Sequence, residues 1–462
     1  MMQEISPVQL QFLGAARTVT GSKTLVQTER HKILIDCGLF QGGKPEQKLN
    51  KLREFPLNPA SLNAIILTHG HLDHTGFLPA LVKKGFHGPI YATPPTRDIT
   101  EVILYDSAHI QEEEALQKNR RRGNRSKRYK PLYNEKHVTR TMKLFKTFDD
   151  REWVSVAEEL RFRFHRSGHI LGAVSVELEA AGKRFIFSGD LGQRAPLILD
   201  TPAPLPEADY IIMEATYGDR LHDTTTSPYQ ALQDVVNSAF AKGGTLIIPS
   251  FAVERAQEII LILNNLIQEK SIPALPIYLD SPMAAEVTGL FQKHRGWHNM
   301  TEAETSGLTQ DIHLVQSFEE TQLVLSPDGP RTKIIIAGSG MVTGGRSLYY
   351  LKHLLGNPDN TVLLVGYQAP GTRGQLLLDG APALEIDGDS YEVRAEVRQI
   401  SVLSAHGDQA DLLWWLGRFK QPPQQVFLNH GEETAMQVLK ELIEETFQYP
   451  VATPERNQVY TL

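Results

Sequence analysis

The sequence predicts an α/β chain of two domains, one built on short strands and one on alternating helices and parallel strands. Three observations carry this. At 462 residues the chain exceeds what a single hydrophobic core usually serves. Its first part reads as short strands with glycine turns, and residues 67–76, Leu-Thr-His-Gly-His-Leu-Asp-His-Thr-Gly, set four metal-type ligands after an apolar run at Ala64, Ile65 and Ile66. From Tyr210 onward helical patterns alternate with short apolar strands, the signature of parallel β/α units.

Composition narrows the class. With 41% hydrophobic and 22% charged residues the chain is an ordinary globular one. A single cysteine, Cys37, excludes an internal disulfide and points to a reducing compartment. Residues 1–13 lack a basic stretch followed by an apolar core, and no apolar run approaches the length of a membrane span. The expectation is a cytoplasmic protein with no membrane partner. The net charge of −7 excludes indiscriminate nucleic-acid binding, so a polyanion must be met by local basic patches.

In chain order, strands are expected over 8–13, 22–27 and 32–35, the last ending at Asp36-Cys37-Gly38. Asp36, just after a strand and near metal-type ligands, is a candidate for orienting a histidine from behind; a turn-forming role before Gly38 fits the local sequence equally well. The next strand delivers His69, His71, Asp73 and His74 within six positions. These residue types suit zinc, and the alternate spacing at 69, 71 and 73 splays the side chains so that two ions can sit side by side. One histidine here would read as a satisfied loop residue, but four ligands on one turn are costly to bury without a metal. Residues 96–117 read as an acidic helix leading into 118–130, where eight of thirteen residues are basic. That run fits either a phosphate-backbone contact or a solvated loop offsetting the helix beside it.

Further strands are expected over 159–164, 173–178 and 184–187, with His169 and Asp190 in glycine-bounded turns at their ends. Together with the first cluster they add a histidine and a carboxylate able to bridge two metals. His165 lacks the glycine frame and reads as structural. The strand from Tyr210 ends at Glu214 in Glu-Ala-Thr-Tyr-Gly-Asp, followed by strands over 245–248, 277–279, 334–337 and 362–365. Phosphate contacts in such folds gather at strand C-termini, which nominates Ser250, Arg255, Ser281, Ser339, Gly340 and Arg346; helix capping would explain the same residues. In the tail, His406 and His430 each follow a strand, where catalytic groups collect.

The His-x-His-x-Asp-His signature resembles the metallo-β-lactamase superfamily. Glu214 in its motif, His406 in Ser-Ala-His-Gly-Asp and His430 in Asn-His-Gly-Glu resemble the three further motifs of the β-CASP branch, in order and over essentially the whole chain. The resemblance implies a metallo-β-lactamase αββα sandwich over residues 1–218, completed by 381–462, with a β-CASP parallel α/β domain inserted over 219–380. It implies two Zn2+ ions, one held by His69, His71 and His169, the other by Asp73, His74 and His430, with Asp190 bridging and His406, supported by Glu214, over the leaving group. The implied activity is a zinc-dependent ribonuclease, endonucleolytic or 5′-exonucleolytic, acting on single-stranded RNA in processing or decay. A DNA-directed nuclease of the same fold is the nearest alternative; a small-ester hydrolase and an inactive RNA-binding scaffold are further ones. A homodimer is compatible with all of them. Glu254, where many relatives have glycine before Arg255, and Gln375, where an arginine is common after Gly374, depart from the pattern.

Overall fold

A computed structural model describes residues 7–122, 128–223, 225–366, 368–369 and 371–462, without the side chains of residues 52, 121 and 122. Most of the basic run at 118–130 therefore lies outside the described side chains. The chain forms two compact units, Met1–Leu221 with His406–Leu462, and His222–Ala405. Among the described residues no helix is long and apolar enough to cross a membrane.

The first unit holds two seven-stranded sheets. In one, Val459–Thr461, Gln9–Gly14, Lys23–Gln27, Lys32–Ile35, Ala64–Ile66, Ile90–Ala92 and Phe145–Thr147 lie side by side in that order. In the other the order is Val451–Ala452, Gln425–Asn429, Tyr210–Glu214, Lys183–Phe187, Val174–Ala180, Leu160–Arg166 and Val154–Ala157. Phe12 meets Phe427 and Tyr91 meets Phe162 ring to ring, at 5.5 and 5.1 Å, joining the two sheets. Because strand side chains alternate faces, the opposite face of each sheet is left for helices. Leu34, Ile65 and Ile90 pack with Leu78, Leu81, Leu104 and Val138 from helices on one side. Ile211, Met213 and Leu428 pack with Leu412, Leu416, Leu439 and Ile443 from helices on the other. The layers are therefore helix, sheet, sheet, helix, with each fully buried Leu, Ile or Phe contributing about 1.5–3 kcal/mol.

The second unit is a parallel six-stranded sheet in the order His313–Leu314, Ile277–Asp280, Lys333–Ala337, Thr245–Pro249, Thr361–Val365 and Glu396–Ile400. Three of its four interior strands are buried at every position, as expected of a parallel sheet covered on both faces. The expected boundary at residue 380 is corrected here. The hairpin Ala383–Ile386 with Asp389–Glu392 and the edge strand Glu396–Ile400 belong to the second unit, because that strand pairs in parallel register with Thr361–Val365. Its sequence, Glu-Val-Arg-Gln-Ile, is polar enough for an edge.

Candidate metal centre

The ligand-type side chains of the first unit come from strand ends. His69, His71, Asp73 and His74 follow Ala64–Ile66, His169 follows Leu160–Arg166, Asp190 follows Lys183–Phe187, Glu214 ends its own strand, and His430 follows Gln425–Asn429. The turn at 71–75 fits only because Gly38 has no side chain, since a Cβ there would lie 1.5 Å from the Asp73 carbonyl oxygen. Gly189, at φ +58°, turns the chain so that Asp190 enters the centre. Asp36 (φ 61°) and His430 (φ 51°) also occupy the left-handed region, a cost of roughly 1–3 kcal/mol each that surrounding structure must offset.

Two groups result. Ligand atoms of His69, His71, His169 and Asp190 lie within 4.8 Å of one another, as do those of Asp73, His74 and His430. Nε2 of His69 and of His169 stand 3.1 and 3.2 Å from Nδ1 of His71. Asp190 Oδ2 lies 3.4 and 3.5 Å from the first two of those nitrogens. In the second group His74 Nε2 is 3.1 Å from His430 Nε2, which is 3.3 Å from Asp73 Oδ2. Asp190 faces both groups, since its Oδ1 lies 3.3 Å from His74 Nε2.

These distances test whether a metal fits. Tetrahedral zinc with bonds of about 2.0–2.1 Å separates its ligand atoms by roughly 3.3–3.4 Å, close to the spacing in both groups. Ring nitrogens this close cannot all hold protons against one another, and Asp190 Oδ1 is buried yet accepts no hydrogen bond. A cation answers both. Burial, then the neighbouring His74, holds the His69 imidazole well below its ordinary value, and burial brings His71 down to about 4. Neutral imidazole is the form that ligates. Burial would raise the Asp73 carboxyl, but His74 and His430 hold it down at about 2, so it presents an anion.

The surrounding groups fix the rings. Asp36 Oδ2 lies 2.7 Å from His74 Nδ1, and Thr68 donates to Asp36 from its backbone N–H at 2.8 Å and its hydroxyl at 2.9 Å. Thr216 Oγ1 lies 3.2 Å from His430 Nδ1 and donates to the His430 carbonyl at 3.1 Å. His406 Nδ1 lies 3.1 Å from Glu214 Oε2, and the same carboxylate accepts the Leu191 N–H at 2.5 Å. His406 Nε2 is 3.9 Å from Asp190 Oδ2, so the ring stands at the edge of the centre. His165 pairs with the buried Glu177 at 2.8 Å, apart from either ligand group. Sequence reasoning missed Thr68 and Thr216. Each sits one or two residues from a residue it singled out, but a threonine in that place has no spacing signature.

The phosphate candidates belong to the second unit. Ser250, Ser281, Ser339, Gly340 and Arg346 do gather at the C-terminal edge of the parallel sheet. The structure gives most of them internal duties. Ser281 caps a helix by accepting the Ala284 N–H at 3.2 Å, Ser250 donates to the Phe251 carbonyl at 3.1 Å, and Ser339 accepts from the N–H groups of Thr343 and Gly344. A Cβ on Gly340 would meet the Phe251 ring at 2.8 Å. Arg346 lies 3.4 Å from Asp280 and stacks over Phe318. Arg255 is a correction: it is buried and ion-paired with Glu258, so its charge is not offered to a ligand.

Comparison with known proteins matches the same regions. Residues 18–250 match the metallo-β-lactamase superfamily, 256–377 the β-CASP domain, and 390–454 the Zn-dependent metallo-hydrolase RNA specificity domain. The chain is 33% identical to Ribonuclease TTHA0252 of Thermus thermophilus over 93% of its own length and 94% of that protein's. It is 30% identical to an RNase J-like protein of Methanocaldococcus jannaschii, over 98% and 99% of the two chains. It is 31% identical to the transcription termination factor FttA of Methanosarcina mazei, over 93% of this chain and 67% of that one. A crystal structure of a protein of unknown function from Enterococcus faecalis shares the fold, with a TM-score of 0.56 over 99% of this chain and 13% identity.

Proposed function

The chain belongs to the β-CASP branch of the metallo-β-lactamase superfamily, and from that premise we propose that it is a zinc-dependent ribonuclease hydrolysing RNA phosphodiester bonds in processing or decay. The observation that carries the reading is the pair of ligand groups sharing Asp190, with an acid-type histidine at their edge. RNA is favoured over DNA by the match of residues 390–454 to an RNA specificity domain. Single-stranded RNA is the form we expect, and the cytoplasm the compartment.

His69, His71, His169 and Asp190 would hold one zinc, and Asp73, His74, His430 and Asp190 the other. Bound there, zinc supplies positive charge for the phosphate oxygens and acidifies water. The chain's own residues do the rest. Asp36 and Thr216 hold Nδ1 of His74 and His430, leaving Nε2 of each ring pointing inward. Asp73 and Asp190 stay ionised and offset the positive charge of the centre. His406 keeps a proton at Nε2: burial opposes its charge, but Glu214 holds the metal-free imidazolium up at about 9. That proton passes to the departing 3′-oxygen, and Glu214, bound to Nδ1, steadies the ring through the transfer.

Purified protein is assayed on RNA and DNA carrying 5′ or 3′ labels, with elemental analysis of the same sample. Two zinc ions per chain, RNA cleavage, and loss of both on dialysis against a chelator are expected. Fully active protein with one metal or none would refute the two-metal reading, and a preference for DNA would transfer the activity to that substrate.

A further inference from the structure

The first unit carries a concentration of positive charge that this chemistry does not use. The helix Leu78–Lys83 ends in Lys83-Lys84, the helix Glu135–Met142 carries Arg140, and the extended residues before it carry Lys130; all four side chains are exposed. Tertiary contacts hold them together. Lys83 Nζ donates to the Leu132 carbonyl at 2.7 Å, the Leu132 N–H donates to Gln111 on the long helix Pro94–Arg122, and the Tyr133 hydroxyl lies 2.8 Å from Ser107 on the same helix. Asn119 clasps Tyr129 in both directions, at 2.9 and 2.7 Å. Residues 129–133 are thereby fastened along the helix, which lays Lys130 beside Lys83.

The charges act on one another. Burial, then Lys84 and Lys130, lowers the Lys83 ammonium; burial, then Lys83 and Arg140, lowers the His137 imidazole, against a smaller opposing pull from Glu112. Among the described residues no carboxylate lies within ion-pairing distance of Lys83, Lys84, Lys130 or Arg140. In a chain of net charge −7, four like charges with no ion-pair partner among the described residues make a surface that attracts anions.

The face is remote from the metal ligands. The helix Leu78–Lys83 leaves the ligand loop and returns to the start of the strand Ile90–Ala92, so Lys83 and Lys84 stand at the opposite edge of the sheet from His69. On the long helix, Ile99 packs beside Gly70 of the ligand loop, while Gln111 holds Leu132 about 18 Å further along at 1.5 Å per residue.

We propose that this face is a second RNA-binding site, gripping the phosphate backbone of the substrate at a distance from the scissile bond. The proposal rests on the ribonuclease reading for its choice of polyanion. Cations on long flexible stems at the centre of a surface suit a phosphate chain, whereas the centre of a protein interface is depleted of charge. Tyr129, 45% exposed with the Lys118 ammonium over its ring, offers a base a surface to stack on.

The test uses the zinc-loaded chain and the double variant Lys84→Glu/Arg140→Glu, two side chains with no hydrogen bond of their own to the fold among the described residues. Binding of a long unstructured RNA is measured against salt, and turnover is measured on an oligonucleotide too short to leave the metal centre. Expected are a loss of about tenfold in long-RNA affinity at low salt, a log–log salt slope smaller by about 0.7 for each phosphate released, and unchanged short-substrate turnover. Lys84→Gln/Arg140→Gln should shift in the same direction by less, which separates lost charge from a disturbed fold. Wild-type affinity and slope in both variants would overturn the second site, whichever partner the face then serves. Failure of the ribonuclease reading is distinguishable: wild-type protein would cleave neither RNA, while the binding comparison still decides the site.

Discussion

Asp190 has two carboxylate oxygens, and each faces a different ligand group. His406 and His430 look alike in sequence, each after a strand and before a glycine, but their surroundings differ. His430→Ala removes a ring from the second group and should lower zinc content to about one ion per chain together with activity, read by elemental analysis. His406→Ala should keep both ions and normal RNA binding while turning over about 100- to 10,000-fold more slowly. Retention of full zinc by an inactive His430→Ala, or zinc loss in His406→Ala, would reverse the assignment. Thr216→Val should weaken zinc binding about 10- to 100-fold in a competition with a chromophoric chelator, and Thr216→Ser should restore it, because only the hydroxyl reaches His430 Nδ1. The cluster of ligand-type side chains was legible because it concentrates rare residue types at short spacing. Thr216 was not, because packing brings it a partner, His430, from 214 residues away; Arg255 was missed although its counter-ion Glu258 stands one helical turn on, at i,i+3.

Among the elements, the strand Lys23–Gln27 opens on a residue that a buried strand should not carry. Lys23 is 3% exposed, donates to the Gly21 carbonyl and lies over the rings of Phe40 and Phe77. Burial lowers its ammonium to about 8. The unfolded chain therefore binds the proton more tightly between that value and 10.5, and the cost of burying the charge is full below pH 8 and fades as pH rises through this window. Lys23→Met should stabilise the protein at pH 7 by on the order of 1–3 kcal/mol, with the gain shrinking by pH 10.5. Denaturant unfolding at the two pH values checks it, and an equal gain at both would show that the charge is not the cause. Strand patterns in the second unit were legible because strands buried on both faces read as continuous apolar runs. Glu396–Ile400 was not, because an edge strand loses that signature.

For the molecule as a whole, bound zinc should stabilise the first unit locally. At a thousandfold excess over its dissociation constant a ligand adds about 4 kcal/mol to the state that binds it. Hydrogen exchange after zinc removal should quicken in Ala64–Ile66, Tyr210–Glu214 and Gln425–Asn429, with Thr245–Pro249 and Lys333–Ala337 unchanged. Uniform quickening across both units would mean that they unfold together. Tyr210–Glu214 and Gln425–Asn429 are neighbours in one sheet although the entire second unit lies between them in sequence. Chains leave the ribosome N-terminus first, so the inserted unit can fold while its host still lacks three strands. His406 and His430 emerge after every other residue of the metal centre. A nascent chain that has not yet reached His430 lacks one side chain of the second ligand group, so the two groups become complete only after the inserted unit has been made.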